Sequence, residues 1–338
     1  MIPTIKDVAK KANVSTATVS LVIHNNRRIS ENTRRKVLQV IKDLDYRPSN
    51  IARGLVLRRT KNIGFLLTDD HFLKTEPFYT HIFLGTEFEA REHEYYILLN
   101  TIPSVFRDQN CLPRFVKENN VDGIIIAGKV PQDIVKCLEP YHLPLVFIDY
   151  YPPSGAHYAV LIDNIEGGRR ATEHLISLGH RSIAFLGGDL DHPSIRDRFR
   201  GYKQALEEKE IEYNALRVIT TEAMTSRESG YHAAKELYKR SKKITSVFAC
   251  NDAMALGAMQ YFKSVGLRIP EDISIIGFDD VESGVTSEPP LTTMMVPKVE
   301  MGSQTMKIMV NILENKLKKP HKVVVPVELV IRASTCAV

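Results

Sequence analysis

The chain has 338 residues, 43% hydrophobic and 25% charged, which is enough apolar content for more than one core, because single cores stop growing near about 250 to 300 residues. No apolar run approaches the roughly 18 residues that cross a bilayer, the opening Met1-Ile2-Pro3-Thr4-Ile5-Lys6-Asp7 lacks the layout of a secretory signal, and the cysteines at 111, 137, 250 and 336 are too scattered for a disulfide framework; a cytoplasmic protein without metal or cofactor is expected. Charge is unevenly divided: residues 1–61 carry 14 Lys and Arg against 4 Asp and Glu, and the remainder 31 against 36, so a basic arm that suits a polyanion precedes an acidic body.

Thr4 with Asp7 three residues on makes a capping-box start, and Ile5, Val8 and Ala9 share one face of a helix running to about Lys11. Asn13 suits a tight turn, and Ser15 caps a second helix. Val19, Val22 and Ile23 of that helix point inward, while Thr16, Ala17, Ser20 and Leu21 point out. Those outward side chains are short, so the helix must enter a major groove closely before Thr and Ser hydrogen-bond bases or phosphates and Ala and Leu meet thymine methyls. Ser30 starts a third helix with Val37, Leu38, Ile41 and Leu44 as its apolar stripe and Arg34, Arg35 and Lys36 beside it. Two helices joined by a short turn and braced by a third match the helix-turn-helix plan. Three amphipathic helices alone also fit a small protein-binding bundle, against which the charge weighs.

The stretches Thr4-Ile5-Lys6-Asp7-Val8-Ala9, Val14-Ser15-Thr16-Ala17-Thr18-Val19-Ser20, Thr33-Arg34 and Tyr46-Arg47-Pro48 resemble the DNA-binding domain of the lactose/galactose repressor family. The resemblance implies a DNA-binding domain over 1–47, with Thr4, Ser15, Thr16, Ala17, Thr18, Ser20, Leu21, Asn25, Thr33 and Tyr46 as candidate contacts to double-stranded operator DNA. The stretch after Pro48, Ser49 to Leu57, has helical character but is too short to stand alone, since isolated helices under about 12 to 15 residues are marginal and Gly54 costs about 1 kcal/mol more. In the resembled family this stretch is a hinge helix that folds against its twin while a leucine wedges into the minor groove; Leu55 stands at that position, with Asn50, Ala52 and Arg53 as further contacts. Residues 48–61 are therefore read as hinge and linker, with Arg58, Arg59 and Lys61 as phosphate contacts.

From Asn62 short β-rich runs alternate with helical stretches, the pattern of parallel sheets. Candidate strands are 63–67, 96–99, 123–127, 145–148, 159–162, 183–186, 218–220, 247–250 and 273–278, with 323–325 and 329–331 closing the chain. They are too many for one ordinary open sheet, and two doubly wound halves fit them better. Gly167-Gly168, Gly179-His180, Asn251-Asp252, Gly277-Phe278-Asp279-Asp280 and Pro290-Leu291-Thr292-Thr293 extend the family resemblance over nearly the whole chain. It implies an α/β fold, with a helix-turn-helix domain before a two-subdomain core similar to periplasmic sugar-binding proteins. The core spans 62–338, the N-subdomain about 62–162 and 294–322 and the C-subdomain about 163–293 and 323–338.

Polar residues gather where the strands end, among them Asp70, Asn100, Asp149, Asp163, Asp189, Asn251, Asp252 and Asp279. In open α/β sheets ligands sit outside the carboxyl ends of the strands, so these side chains face a shared cleft, and carboxylates and amides that take paired hydroxyls suit a polyol. Arg198 matches the family's effector-contacting arginine, whose planar fork suits ring oxygens or a carboxylate. Phe78, Tyr79 and Tyr150 are candidates for a flat wall. The effector set is thus Asp70, Phe78, Tyr79, Asp149, Arg198, Asn251 and Asp279. A plainer role competes: Asp at a strand end often caps the next helix, as Asp163, Asp189 or Asp252 would.

Catalysis is the rival class, yet the chain holds no G-x-S-x-G, G-x-x-x-x-G-K-[ST] or H-E-x-x-H, and nothing selects two carboxylates at a defined separation. The reading is a homodimeric, ligand-controlled repressor of carbohydrate-utilisation genes, not an enzyme; the alternative is a sugar-acting α/β enzyme or sugar-binding protein with a basic helical appendage. With no heptad tail at the carboxyl terminus, a dimer is expected over a tetramer. Leu21, Glu76 and the non-aromatic Met224-Thr225 depart from the family pattern, leaving the operator sequence open and, with sugar the favoured effector class, a nucleobase and a phosphorylated metabolite as open alternatives.

Overall fold

The computed structural model describes residues 3–23, 28–46, 59–70, 77–105, 112–153, 155–222 and 224–338. The chain divides into two compact units, Met1–Thr60 and Lys61–Val338.

In the first unit α1 (Ile5–Ala12), α2 (Thr16–Ile23) and α3 (Glu31–Asp43) enclose a small core of Val8, Val19, Val22, Val37 and Val40. The Thr4 backbone N–H and hydroxyl both donate to the Asp7 carboxylate, at 2.8 and 2.7 Å. Asn13 at φ 50° ends α1 in the left-handed conformation, and Ser15 Oγ accepts the Thr18 N–H at 3.0 Å to start α2. On α3 the expected stripe is corrected at one position. Leu38 is 48% exposed and Val40 is buried instead, because 37, 40, 41 and 44 lie along one face while 38 is turned about 100° from 37.

The second unit opens with β1 (Asn62–Thr68), α4 (Phe78–Glu92), β2 (Tyr96–Ile102), α5 (Arg114–Lys117), β3 (Gly123–Ala127), α6 (Gln132–Leu138), β4 (Leu145–Ile148) and β5 (Tyr158–Ile162). It continues with α7 (Asn164–Ser177), β6 (Ile183–Gly188), α8 (Pro193–Glu208), β7 (Val218–Glu222), α9 (Arg227–Arg240), β8 (Ser246–Ala249), α10 (Asp252–Ser264), β9 (Ser274–Asp279) and α11 (Glu282–Val285). The chain ends with β10 (Thr292–Met295), α12 (Lys298–Leu313), β11 (Lys322–Val325) and β12 (Glu328–Val330). These strands form two six-stranded sheets, β11-β5-β4-β3-β1-β2 and β12-β10-β9-β8-β6-β7. All described pairings are parallel except β10 with β12. The central strands β1, β3, β8 and β9 are buried almost throughout, as parallel strands covered by helices on both faces must be.

The expected subdomain limits shift at two crossings. Lys322–Val325 pairs with Ala159–Ile162 of the first sheet, so the last crossing falls after Val325, and residues 323–325 belong to the N-subdomain rather than the C-subdomain. Thr292–Met295 is a strand of the second sheet, so the N-subdomain resumes with α12, which packs on α4. That strand was not among those expected. Its two threonines are fully buried and bonded, Thr293 Oγ1 donating to Asp252 at 2.6 Å.

One close contact positions the cleft. A Cβ on Gly201 of α8 would lie 2.0 Å from the Ile165 carbonyl oxygen of α7, and one on Gly168 2.3 Å from the Arg198 carbonyl oxygen. The two helices therefore cross at backbone contact, one turn from the Arg198 side chain.

Candidate functional site

In the amino-terminal unit Thr16, Ala17 and Leu21 of α2 are exposed, Leu21 by 38%, and Thr18 and Ser20 are half-buried beside them. Val19 and Val22 anchor the other face, so the expected groove-facing surface is free. Some hydroxyls are already engaged within the unit: Ser15 with Thr18 at 2.9 Å, Ser30 with Thr33 at 2.9 Å, and Thr4 with Asp7. Tyr46 is a correction. It is 8% exposed in the module's core, because left-handed Asp45 turns the chain back and the Tyr46 N–H donates to Ile41 O at 3.0 Å. Asn25, Asn50, Ala52, Arg53 and Leu55 lie outside the described residues.

In the second unit a cavity of about 360 Å³ is lined from the carboxyl ends of strands in both sheets. From the first sheet come Asp70 after β1, Phe78 and Tyr79 at the start of α4, Lys129 after β3 and Asp149 after β4. From the second come Asp189 and Arg198 around β6 and α8, Thr225 after β7, Asn251 after β8 and Asp279 at the end of β9. The site thus sits where the topology places ligands in open α/β sheets.

Arg198 is its centre, 5% exposed. Nε donates to Asn164 Oδ1 at 2.8 Å, Nη1 to Cys250 O at 2.6 Å and to Asp279 Oδ1 at 3.5 Å, and the guanidinium carbon lies 3.7 Å from the centroid of the Phe278 ring. Buried guanidinium is tolerated because acceptors and a ring face replace its water. Facing it, Asp149 accepts the Tyr79 hydroxyl on Oδ2 at 2.9 Å, while its buried Oδ1 has no partner among the described residues. Asp149 stands at φ 57°, Asp279 at 116° and Asp280 at 55°, conformations that cost of order 1–3 kcal/mol each and cluster at ligand sites.

Burial raises the carboxyl pKa of Asp149 to about 6, against the pull of Arg198 and the Tyr79 hydrogen bond. Burial likewise raises Asp279, with Arg198 and Lys298 opposing. Asp252 lies deeper, where burial and then the Asp279 charge push it to about 8. Lys298 is lowered by burial and raised back by Asp279.

Of the expected effector residues, Asp70, Phe78, Tyr79, Asp149, Arg198, Asn251 and Asp279 all line this one cavity. Three expectations change. Asn251, not Asp252, caps α10: its Oδ1 accepts the Met254 N–H at 2.9 Å and its Nδ2 donates to Thr225 O at 3.0 Å, so both ends of its amide are engaged. Tyr150 is packed against Phe147, away from the cavity. Asp163 caps α7 by accepting the Glu166 N–H at 2.9 Å. Phe78 and Tyr79 meet edge to face with centroids 5.1 Å apart, so they form an angled corner rather than a flat wall. Lys129, which reaches Asp191 O of the other subdomain at 3.4 Å, was not singled out; it lies past the end of a strand, a position whose polar members the acidic residues had already marked. Among the described residues no group of His, Cys, Asp or Glu could hold a metal ion, and no helix is long and apolar enough to cross a membrane.

Comparison with known proteins fits this layout. The family described as bacterial regulatory proteins, lacI family, matches residues 4–49, and the periplasmic binding protein-like domain matches residues 172–335. The HTH-type transcriptional repressor PurR of Haemophilus influenzae (strain PittEE) is 35% identical over 338 residues, covering 98% of each chain. Among solved structures, a transcriptional regulator CelR–cellobiose complex superposes with a TM-score of 0.76 at 30% identity, covering 98% of this chain and 99% of that one. A lac repressor dimer bound to operator and the anti-inducer ONPF gives 0.84 at 26% identity, covering 100% of both. These relatives are named as transcriptional repressors or regulators, not as enzymes, and the expected architecture, a helix-turn-helix domain before a two-sheet α/β core, is theirs. With a relative this similar along almost its entire length, a DNA-reading module and a cavity built for a small effector, the chain belongs to the LacI family of ligand-responsive, DNA-binding transcription repressors.

Proposed function

We propose that the cavity takes a small, neutral, polyhydroxylated effector of the sugar class, held by Asp149, Arg198 and Asp279 against Phe78 and Tyr79, and that its occupancy governs operator binding. The observation that carries this reading is the buried Asp149 Oδ1, which lacks a partner among the described residues; a buried acceptor needs a donor, and an effector hydroxyl would supply it. Four carboxylates, Asp70, Asp149, Asp189 and Asp279, against Lys129 and Arg198 line the space, a balance that repels phosphorylated ligands. The CelR–cellobiose complex among the similar structures supports the class. The relatives named PurR favour a second reading, a purine base. Against it, Phe78 and Tyr79 of the cavity lining meet edge to face at one corner, so between them they offer a flat base one stacking face.

DNA binding is assigned to α2, with Thr16, Ala17, Ser20 and Leu21 toward base edges, and to residues 48–61 as hinge. Two copies would meet through the N-subdomain, where Leu84, Phe88, Tyr96 and Leu99 are 37 to 62% exposed on α4 and the edge strand β2, an unpaired apolar surface that a homodimer would cover. The protein would act in the cytoplasm on genes of carbohydrate use. A thermal-shift panel of mono- and disaccharides against purine bases tests the class, because a ligand at about 100 times its Kd stabilises by about 2.7 kcal/mol. A sugar should raise Tm and Arg198→Ala should abolish the rise; a response to purines alone would overturn the sugar reading.

A further inference from the structure

Lys298 is the first residue of α12, the helix that packs on α4 in the N-subdomain, yet its ammonium acts on the other subdomain. Nζ donates to the carbonyl of Asp279, to Asp280 O at 3.2 Å and to Val296 O at 3.3 Å. It also lies 5.8 Å from the centroid of the Phe78 ring in the cavity wall. Its three donors are thereby spent on main-chain oxygens, and among the described residues it makes no ion pair. Two of the three acceptors belong to the backbone stretch with consecutive positive φ values, Asp279 and Asp280, which non-glycine residues keep only when their surroundings hold them there. Other restraints on this turn come from its own subdomain: Arg332 pairs with Asp280 Oδ1 at 2.6 Å, and Asp252 Oδ2 accepts the Val281 N–H at 2.9 Å. Lys298 comes instead from the crossover into the N-subdomain, three residues past Met295, which pairs with Asp279.

We propose that Lys298 is a positioning residue of the effector site: it holds the Asp279–Asp280 turn in its left-handed conformation and ties that turn to the first turn of α12, so that the aim of the Asp279 carboxylate depends on how the two subdomains sit. This rests on Asp279 being an effector contact. A lysine suits the task because a compact ammonium on a flexible stem can gather several carbonyls that converge from different elements. The consequence is directional. A molecule that pulls on Asp279 also pulls on α12, and a change in α12 re-aims Asp279.

Hydrogen exchange by mass spectrometry on the full-length protein tests the tether without needing the effector. Lys298→Met keeps the stem and removes the donors; Lys298→Arg keeps donors. In Lys298→Met, amides at 280–284 and at 299–302 should both exchange about tenfold faster, with β6 and β8 unchanged, and Lys298→Arg should return both segments to within about twofold of the native rate. Unchanged rates, faster exchange on one side only, or uniform acceleration through the subdomain would each overturn the proposal, the last because it marks a general loss of packing. Asp279→Asn in the sugar thermal-shift assay tests the underlying reading separately. If that variant keeps the full shift, Asp279 is not an effector contact, and the exchange result still decides whether Lys298 is the tether.

Discussion

Asp149 combines three properties that seldom meet in a residue kept for stability: a left-handed backbone, a buried oxygen without a partner among the described residues, and a pKa raised by burial to about 6. Its effect on folding follows from linkage. Between the ordinary carboxylate value near 3.9 and about 6, the native state holds a proton that the unfolded chain has released, so stability falls as pH rises through that window. Asp149→Asn should remove its share of that slope, leaving the shares of Asp252 and Asp279, and gain up to about 2–3 kcal/mol at neutral pH, read by urea denaturation from pH 4 to 8. Asp252, raised to about 8, adds a decline that runs from about pH 4 to about pH 8 and should persist in the variant. Effector affinity should move the opposite way in the native protein, growing as pH passes about 6 and the carboxylate becomes the stronger acceptor. A variant whose slope between pH 4 and 6 equals the native one would show that Asp149 is not held protonated there.

Between helices, the contact that matters most to the cavity is the crossing of α7 and α8. A methyl group on Gly201 would meet the Ile165 carbonyl oxygen at 2.0 Å and the Arg169 nitrogen at 2.6 Å, both backbone atoms that cannot swing aside. Gly201→Ala should therefore cost about 1–3 kcal/mol through forced separation of the helices and, because Arg198 lies one turn away, weaken the sugar-induced Tm shift as well; a variant that loses stability but keeps the full shift would mean that Arg198 is aimed independently of the crossing. Such reciprocal packing explains what could and could not be read from the chain. Buried parallel strands such as Gly123–Ala127 announce themselves as unbroken apolar runs. Thr292–Met295 does not, since its threonines satisfy their hydroxyls through partners as distant as Asp252 and Thr335. Asn251 and Asp252 are adjacent and both suit a cap, and only the φ of Asn251 at −151° against the helical placement of Asp252 decides between them. Leu38 and Val40 differ by helical phase, which a short amphipathic pattern fixes poorly. Lys298 carries no local signal at all, as its acceptors at 279 and 280 are neighbours in space but not in sequence.

Charge is divided between the units more sharply than any single contact suggests. Residues 1–61 hold 14 basic against 4 acidic groups, the rest 31 against 36, so the body repels the polyanion that the arm attracts. In a dimer the arms add, and each phosphate they neutralise releases counterions, which makes affinity fall linearly with salt on logarithmic axes. With six or more phosphate contacts per dimer, operator affinity should drop about 10³-fold or more between 50 and 200 mM salt, measured by fluorescence anisotropy of a labelled duplex. Random DNA should be bound more weakly, by the same electrostatic attraction, because phosphates position the protein while base-edge contacts, the role proposed for Thr16, Ala17 and Leu21, select the site. A chain beginning at residue 61, which retains the compact second unit, should bind neither duplex yet keep its sugar-induced Tm shift. Should operator affinity prove flat with salt, the basic arm would not be the electrostatic anchor, and the acidic body would need another reason to lie on the far side of the charge divide.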